Sequence, residues 1–556
     1  MTRVTRHFVT VGERRVHYTR AGNGPPVLML HASPCSAKVL RLPQTVFAAQ
    51  FTAFAFDTPG FGLSDPLPVT PPEIRDFADG LADTMDALGL AEAATYGRHT
   101  GAGIAVEFAR RHPGRCSMAL ADGYPVFPAP YSEERLTQYL EPIVPRWDGG
   151  HLLWLWFRYR EQHVFWPWDA HDDAHRSDTD VPDLEFLHRG VLELMEAGDG
   201  YRAGYAAAFR HDGLALLPEL QRPVCFGARP GDSMVNTLAL FPASAWTAEM
   251  PREPWAAAVA EREVLARNPA SGAVPDAPGC AAVAGRTATD YVDLGDSQML
   301  LRASGDANGS TPLLLLHAIP GSSALHDGLI LALGRHRRVL AFDVPGQGES
   351  EPAEGFSPSI GGWAGRVRDA LGRMGVGAVH VAGIESGATV AVELARQAPR
   401  LVASLILQSP PALTPEERAA LAERYAPASD PVWDGSHLTR VWHHLRDQEL
   451  WWPWFDRRRE CARRHTLAIG PAQLQARALE CLKQPRFYRP AWEAVLSYPL
   501  LETLAGLGRP VNLVARESDL FAQFAGRAEA VTAPHRVVRI ADQAALVRAV
   551  LAGLDF

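Results

Sequence analysis

Phe56-Asp57-Thr58-Pro59-Gly60-Phe61-Gly62-Leu63-Ser64 returns as Phe342-Asp343-Val344-Pro345-Gly346-Gln347-Gly348-Glu349-Ser350, displaced by 286 residues. Leu28-Met29-Leu30-His31-Ala32-Ser33-Pro34 and Leu314-Leu315-Leu316-His317-Ala318-Ile319-Pro320 keep the same displacement. So do Trp147-Asp148-Gly149-Gly150-His151 against Trp433-Asp434-Gly435-Ser436-His437, and Phe165-Trp166-Pro167-Trp168 against Trp451-Trp452-Pro453-Trp454. A repeat of that length is far beyond any solenoid or propeller unit, so the chain is a duplicated domain.

The length agrees: 556 residues suit two cores rather than one. Residues 1–266 form the first expected domain, with a cap at about 125–215. Residues 267–285 are the linker, opening with the Pro/Gly/Ala-rich run from Arg267 to Gly279, and 286–556 form the second domain, with a cap at about 411–500. Within each half, short apolar runs alternate with helical patterns, the mark of an α/β fold whose mostly parallel sheet is flanked by helices. In the first half strands are expected at Val27–His31, Phe51–Asp57, Ala93–Gly97, Ser117–Asp122, Pro223–Gly227 and Ala245–Met250. The Trp-, Tyr- and Arg-rich insert after the fourth of these reads as a helical cap.

Composition narrows the function. A content of 47% hydrophobic and 21% charged residues is that of a globular chain rather than a disordered one. The net charge of -9 argues against nucleic-acid or anionic-membrane binding, which need basic surface. Neither an apolar leader nor a membrane-length apolar run is present, so a cytoplasmic location is expected. The six scattered cysteines form no CxxC pair and read as reduced, packed thiols.

Together these motifs resemble the α/β-hydrolase superfamily, in the capped layout of epoxide hydrolases and haloalkane dehalogenases. His31-Ala32-Ser33-Pro34 is similar to the superfamily's oxyanion turn, and Asp57 to Ser64 to its Asp-x-x-Gly-x-Gly-x-Ser loop. The resemblance implies a nucleophile elbow between a strand and a helix. It falls on Gly97-Arg98-His99-Thr100-Gly101 and on Gly383-Ile384-Glu385-Ser386-Gly387, so the nucleophile positions hold His99 and Glu385. The acid positions hold Asp232 and Asp519. The superfamily's late histidine is missing from both halves: no histidine lies between His211 and His317, and His535 precedes its strand. Without that base a serine-esterase mechanism has nothing to activate its hydroxyl.

An imidazole at the elbow can reach Asp232 and act on substrate directly as a general base, the carboxylate fixing its tautomer. The backbone N–H groups of Ser33 and Thr100 are the candidate oxyanion donors. Elimination, isomerisation, cyclisation or addition of water fits this set better than acyl transfer. Glu385, Asp519 and His317 make a possible second site, although an ester on Glu385 would lack a histidine for its hydrolysis. His31, Trp147, His151, Trp156, Arg160, His163 and Trp166 are candidate pocket residues. The competing reading makes the aromatic set cap core, and Arg160-Glu161-Gln162 a buried structural network.

A Trp-rich roof favours a small apolar or aromatic substrate. No cofactor is expected, for want of a Walker loop or dinucleotide fingerprint, and no metal. The run from Asp169 to His175 reads as a solvated turn. The halves are expected to form an internal pseudo-dimer. Two rivals stand beside the enzyme: a non-catalytic pseudohydrolase that binds a ligand or serves as scaffold, and a hydrolase with its base relocated to His31, His151 or His163.

Overall fold

The computed structural model describes residues 3–127, 131–306, 309–464, 469–532 and 535–554. The chain divides into two compact units, one of residues 1–144 and 154–281, the other of 145–153 and 282–556. The piece 145–153, placed in the first cap by sequence, is thus counted with the second unit.

The described strands of the first unit are β1 (Thr5–Val11), β2 (Arg14–Ala21), β3 (Pro26–Leu30), β4 (Thr52–Phe56), β5 (Ala93–Arg98), β6 (Cys116–Asp122), β7 (Val224–Ala228) and β8 (Trp246–Glu249). They pair in the order β1-β2-β4-β3-β5-β6-β7-β8. From β4 to β8 every pairing is parallel, while β1–β2 and β2–β4 are antiparallel. β3 and β4 are buried along their whole length, as strands covered by helices on both faces must be. The β1–β2 hairpin was not anticipated. Its strands carry Arg6, His7, Arg14, Arg15, His17 and Arg20, a mixed polar pattern that an edge tolerates and that gives no continuous apolar run.

In the second unit the strands are β9 (Ala288–Asp293), β10 (Gln298–Ser304), β11 (Leu313–Leu316), β12 (Val339–Phe342), β13 (Val379–Ile384), β14 (Val402–Gln408), β15 (Val511–Arg516) and β16 (His535–Ile540). Their order, β9-β10-β12-β11-β13-β14-β15-β16, repeats the first sheet strand for strand. Helices Glu133–Tyr139, Gly150–Glu161, Leu184–Ala197 and Tyr201–Arg210 fall between β6 and β7. Trp156 and Tyr159 are buried, and Trp168 Nε1 donates to the Tyr139 carbonyl: these aromatics pack among themselves. Among the described residues no helix is long and apolar enough to cross a membrane.

Candidate active site

β5 runs straight into the helix Thr100–Arg111, and His99 makes the turn with φ 48° and ψ −111°. Glu385 has φ 46° at the matching turn between β13 and the helix Gly387–Gln397. A non-glycine residue in this region costs about 1–3 kcal/mol and persists only where its surroundings hold it. Here close packing does so. A Cβ added at Gly101 would stand 2.3 Å from the Leu30 carbonyl oxygen, so only glycine lets the helix sit this near β3.

His99 Nε2 lies 2.9 Å from Asp232 Oδ2, and Asp232 Oδ1 accepts the Met234 N–H at 2.8 Å. Burial pushes the Asp232 carboxyl upward, but the His99 interaction and the charge of Arg98 outweigh it, and the group is held below the usual carboxylate range. An ionised carboxylate can only accept, so the proton of a neutral His99 belongs on Nε2, leaving the Nδ1 lone pair for chemistry. The Asp232 side chain is 6% exposed and that of His99 31%, so the pair presents its imidazole end.

Gly123, with φ 65°, makes room for the ring: an added Cβ would come within 3.0 Å of His99 Cδ2 and Nε2. Thr100 opens the helix, with its N–H at the dipole's positive end, and the Ser33 N–H, before Pro34, carries no hydrogen bond among the described residues.

Behind the pair lie charges that the sequence reading did not assign. Arg98 Nε is 3.1 Å from Asp122 Oδ2, and Arg229 Nη2 bridges Asp122 Oδ2 at 2.8 Å and Glu261 Oε1 at 2.6 Å. A signal was present: β5 and β6 are apolar strands that end abruptly in Arg98 and Asp122.

Several candidate pocket residues have other employment. His31 donates through Nδ1 to the Ala32 carbonyl at 2.8 Å and accepts the Thr58 N–H on Nε2 at 2.9 Å. His317 does the same with Ala318 at 2.8 Å and Val344 at 3.3 Å. With both nitrogens committed to backbone, each histidine ties its oxyanion turn to the Asp-x-x-Gly loop and offers a ligand nothing.

Arg160 pairs with Glu161 at 3.0 Å, as Arg446 does with Asp447 at 2.7 Å, the repeated structural network. Trp166 packs on Tyr139 and Phe209. Trp147 and His151 belong to the piece counted with the second unit, where the Trp147 carbonyl accepts Trp442 Nε1 and the His151 ring meets Trp442. His163 differs. Its ring packs on Tyr159 and Phe186, its Nε2 has no partner among the described residues, and burial with the charges of Arg158 and Arg98 lowers it to about 4.

The second elbow is wired otherwise. Glu385 Oε1 accepts the Leu520 N–H at 2.6 Å, and Asp519 is taken by Gln408 and Ser409 at 2.8 Å each and by Arg516 at 2.6 Å. Burial and the nearby Asp519 raise the Glu385 carboxyl above the usual carboxylate range. The Ile319 N–H, counterpart of the Ser33 N–H, donates to Ser386 Oγ at 2.7 Å, and that hydroxyl donates back to the Ile319 carbonyl at 2.7 Å. That N–H is thus already paired within the protein.

A family model described as the α/β hydrolase fold matches residues 25–152 and 311–434, one stretch in each half. With the two sheets and their matching strand-to-helix turns, this shows a tandem pair of the α/β hydrolase fold. Among curated relatives, a soluble epoxide hydrolase of Corynebacterium sp. (strain C12) is 32% identical over 108 residues, 19% of this chain and 37% of that protein. A 2-(acetamidomethylene)succinate hydrolase of Mesorhizobium japonicum is 28% identical over 151 residues, 26% of this chain and 51% of that protein. The chain thus spans about half or less of the length of these relatives. A solved hydrolase from Pseudomonas aeruginosa PA01 aligns at 21% identity and a TM-score of 0.36, covering 49% of this chain and 100% of its own.

Proposed function

We propose that the protein is a cofactor-independent enzyme of small-molecule metabolism, in which the first unit acts on an apolar or aromatic carbonyl compound or epoxide by general acid–base catalysis. The 2.9 Å contact between His99 Nε2 and Asp232 Oδ2 at a strained elbow carries this reading. Asp232 holds the Nε2 proton, and the Nδ1 lone pair takes a proton from substrate carbon or from an attacking water. The negative oxygen that develops is met by the N–H groups of Ser33 and Thr100. His163, kept neutral under the cap, supplies a polar contact in an otherwise aromatic roof. Elimination, isomerisation, cyclisation and water addition all use this set, and the hydrolase names of the relatives make water addition the first to try. The second unit, whose oxyanion N–H is spent on Ser386, acts as the non-catalytic partner.

The test is exchange of α-protons of a panel of aryl ketones in D₂O, followed by proton NMR, beside hydration of styrene oxide. His99→Ala lowers the faster of these rates by about two to four orders of magnitude, the range for a lost general base. Glu385→Ala lowers it less than about tenfold. A rate that survives His99→Ala and collapses with Glu385→Ala would move the chemistry to the second unit. No exchange or hydration by the folded protein would favour the ligand-binding pseudohydrolase.

A further inference from the structure

Behind the elbow, carboxyl and guanidinium groups alternate in one chain. It runs from Glu261 on the helix Pro254–Leu265 to Arg229 (2.6 Å), Asp122 (2.8 Å) and Arg98 (3.1 Å). From there Arg98 Nη2 stands 4.0 Å from Asp232 Oδ2, the oxygen that His99 meets. Asp122 and Glu261 are fully buried, while the Arg98 side chain keeps 32% of its surface, so the chain emerges at the elbow.

The duplicate lacks that end, and its elbow residue is a carboxylate, Glu385, in place of His99. In the second half Ile384 stands for Arg98, Gln408 for Asp122 and Ser409 for Gly123. There Arg516, the counterpart of Arg229, turns onto the acid itself at 2.6 Å, and Asp519 makes no hydrogen bond to the elbow residue among the described contacts. The same aspartate in the same loop faces the elbow in one half and the arginine of its own loop in the other.

A buried carboxylate needs a cation or donors to stay ionised. Asp232 has one backbone donor on Oδ1, and a neutral imidazole on Oδ2 does not cancel its charge. The cation beside Oδ2 is Arg98.

We infer that Arg98 is a positioning residue: anchored through Asp122, it holds Asp232 Oδ2 toward His99 and so keeps the imidazole proton on Nε2. The inference rests on the reading of His99 as base, and Arg98 itself need touch no substrate.

The experiment uses the full chain labelled with ¹⁵N-histidine, the His99 signals being assigned by their loss in His99→Gln. At pH 7.5 the native protein shows a fixed Nε2–H tautomer, and Asp232→Asn abolishes the preference. Arg98→Met moves the tautomer ratio from at least about ten to one toward parity, the factor one charge-assisted hydrogen bond sustains. Arg98→Lys restores most of it. If Arg98→Met fails to fold, Arg98→Gln, uncharged but able to donate to Asp122, takes its place with the same expectation. A fixed tautomer that persists in the uncharged variant overturns the role of Arg98 alone. A native protein in which His99 already averages between tautomers overturns the reading of the His99–Asp232 pair.

Discussion

Glu193 offers the sharpest quantitative test of how the helices between β6 and β7 are held. It sits on the helix Leu184–Ala197, 2% exposed, and accepts a hydrogen bond of 2.5 Å from the hydroxyl of Ser36, just beyond the turn after β3. Burial raises its carboxyl from 4.5 to about 7, against the opposing pull of the Ser36 bond and the charges of Lys38 and Arg189. Because the folded value is above the unfolded one, the stability linked to this proton is fully present below about pH 4.5 and is lost as pH rises through about 7. At about 1.4 kcal/mol for each tenfold change in proton affinity, the loss is about 3 kcal/mol.

Glu193→Gln keeps an oxygen for Ser36 and cannot ionise. Any constant cost of the amide cancels when variant and native protein are compared at two pH values, as do the other titrating groups they share. Calorimetric unfolding of the full chain at pH 5 and pH 8 should therefore show the variant gaining about 2–3 kcal/mol relative to the native protein, roughly 4–12 °C in the transition of the first unit. A difference that stays constant between the two pH values would refute the reasoning.

Arg229→Met strips the cation from buried Glu261 and leaves Asp122 to Arg98 alone, and should cost about 3–5 kcal/mol in denaturant unfolding. Arg516→Met should cost less than about 2 kcal/mol, since Asp519 keeps Gln408 and Ser409; equal losses would contradict the network as described. Gly123→Ser places a Cβ 3.0 Å from the His99 ring at φ 65°, so it should destabilise by about 2–4 kcal/mol and part His99 from Asp232. A crystal structure of that variant with the pair still in contact would show that the glycine is not needed. Fluorophosphonate probes should leave the native protein unlabelled by intact-mass analysis. Stoichiometric adducts at Ser33, Ser64, Ser350 or Ser386 would restore a serine mechanism.

Much of this architecture was legible before any coordinates. Motifs repeated at one displacement announce a duplication, because two copies of a fold must keep the same turns at the same places. Fully buried strands such as Pro26–Leu30 and Thr52–Phe56 read as apolar runs, since both faces of a parallel strand are covered. Both elbows were visible because their glycines answer to local packing, as Gly101 does against Leu30. The β1–β2 hairpin escaped notice because an edge strand may be polar, and the pocket roles of Trp147 and His151 could not be judged from their place in the chain.

From sequence alone came the kind and number of domains, the residues at each elbow, and the loss of the late histidine, all properties of local pattern and spacing. Tertiary structure decided what those residues do. Asp232 and Asp519 occupy the same loop, yet one faces its elbow residue and the other is taken by Gln408, Ser409 and Arg516. The elbow residue is an imidazole in one half and a carboxylate in the other, and the partners come from separate elements that meet only in space. A buried charge takes the partner within about 3 Å, and sequence spacing does not measure that distance.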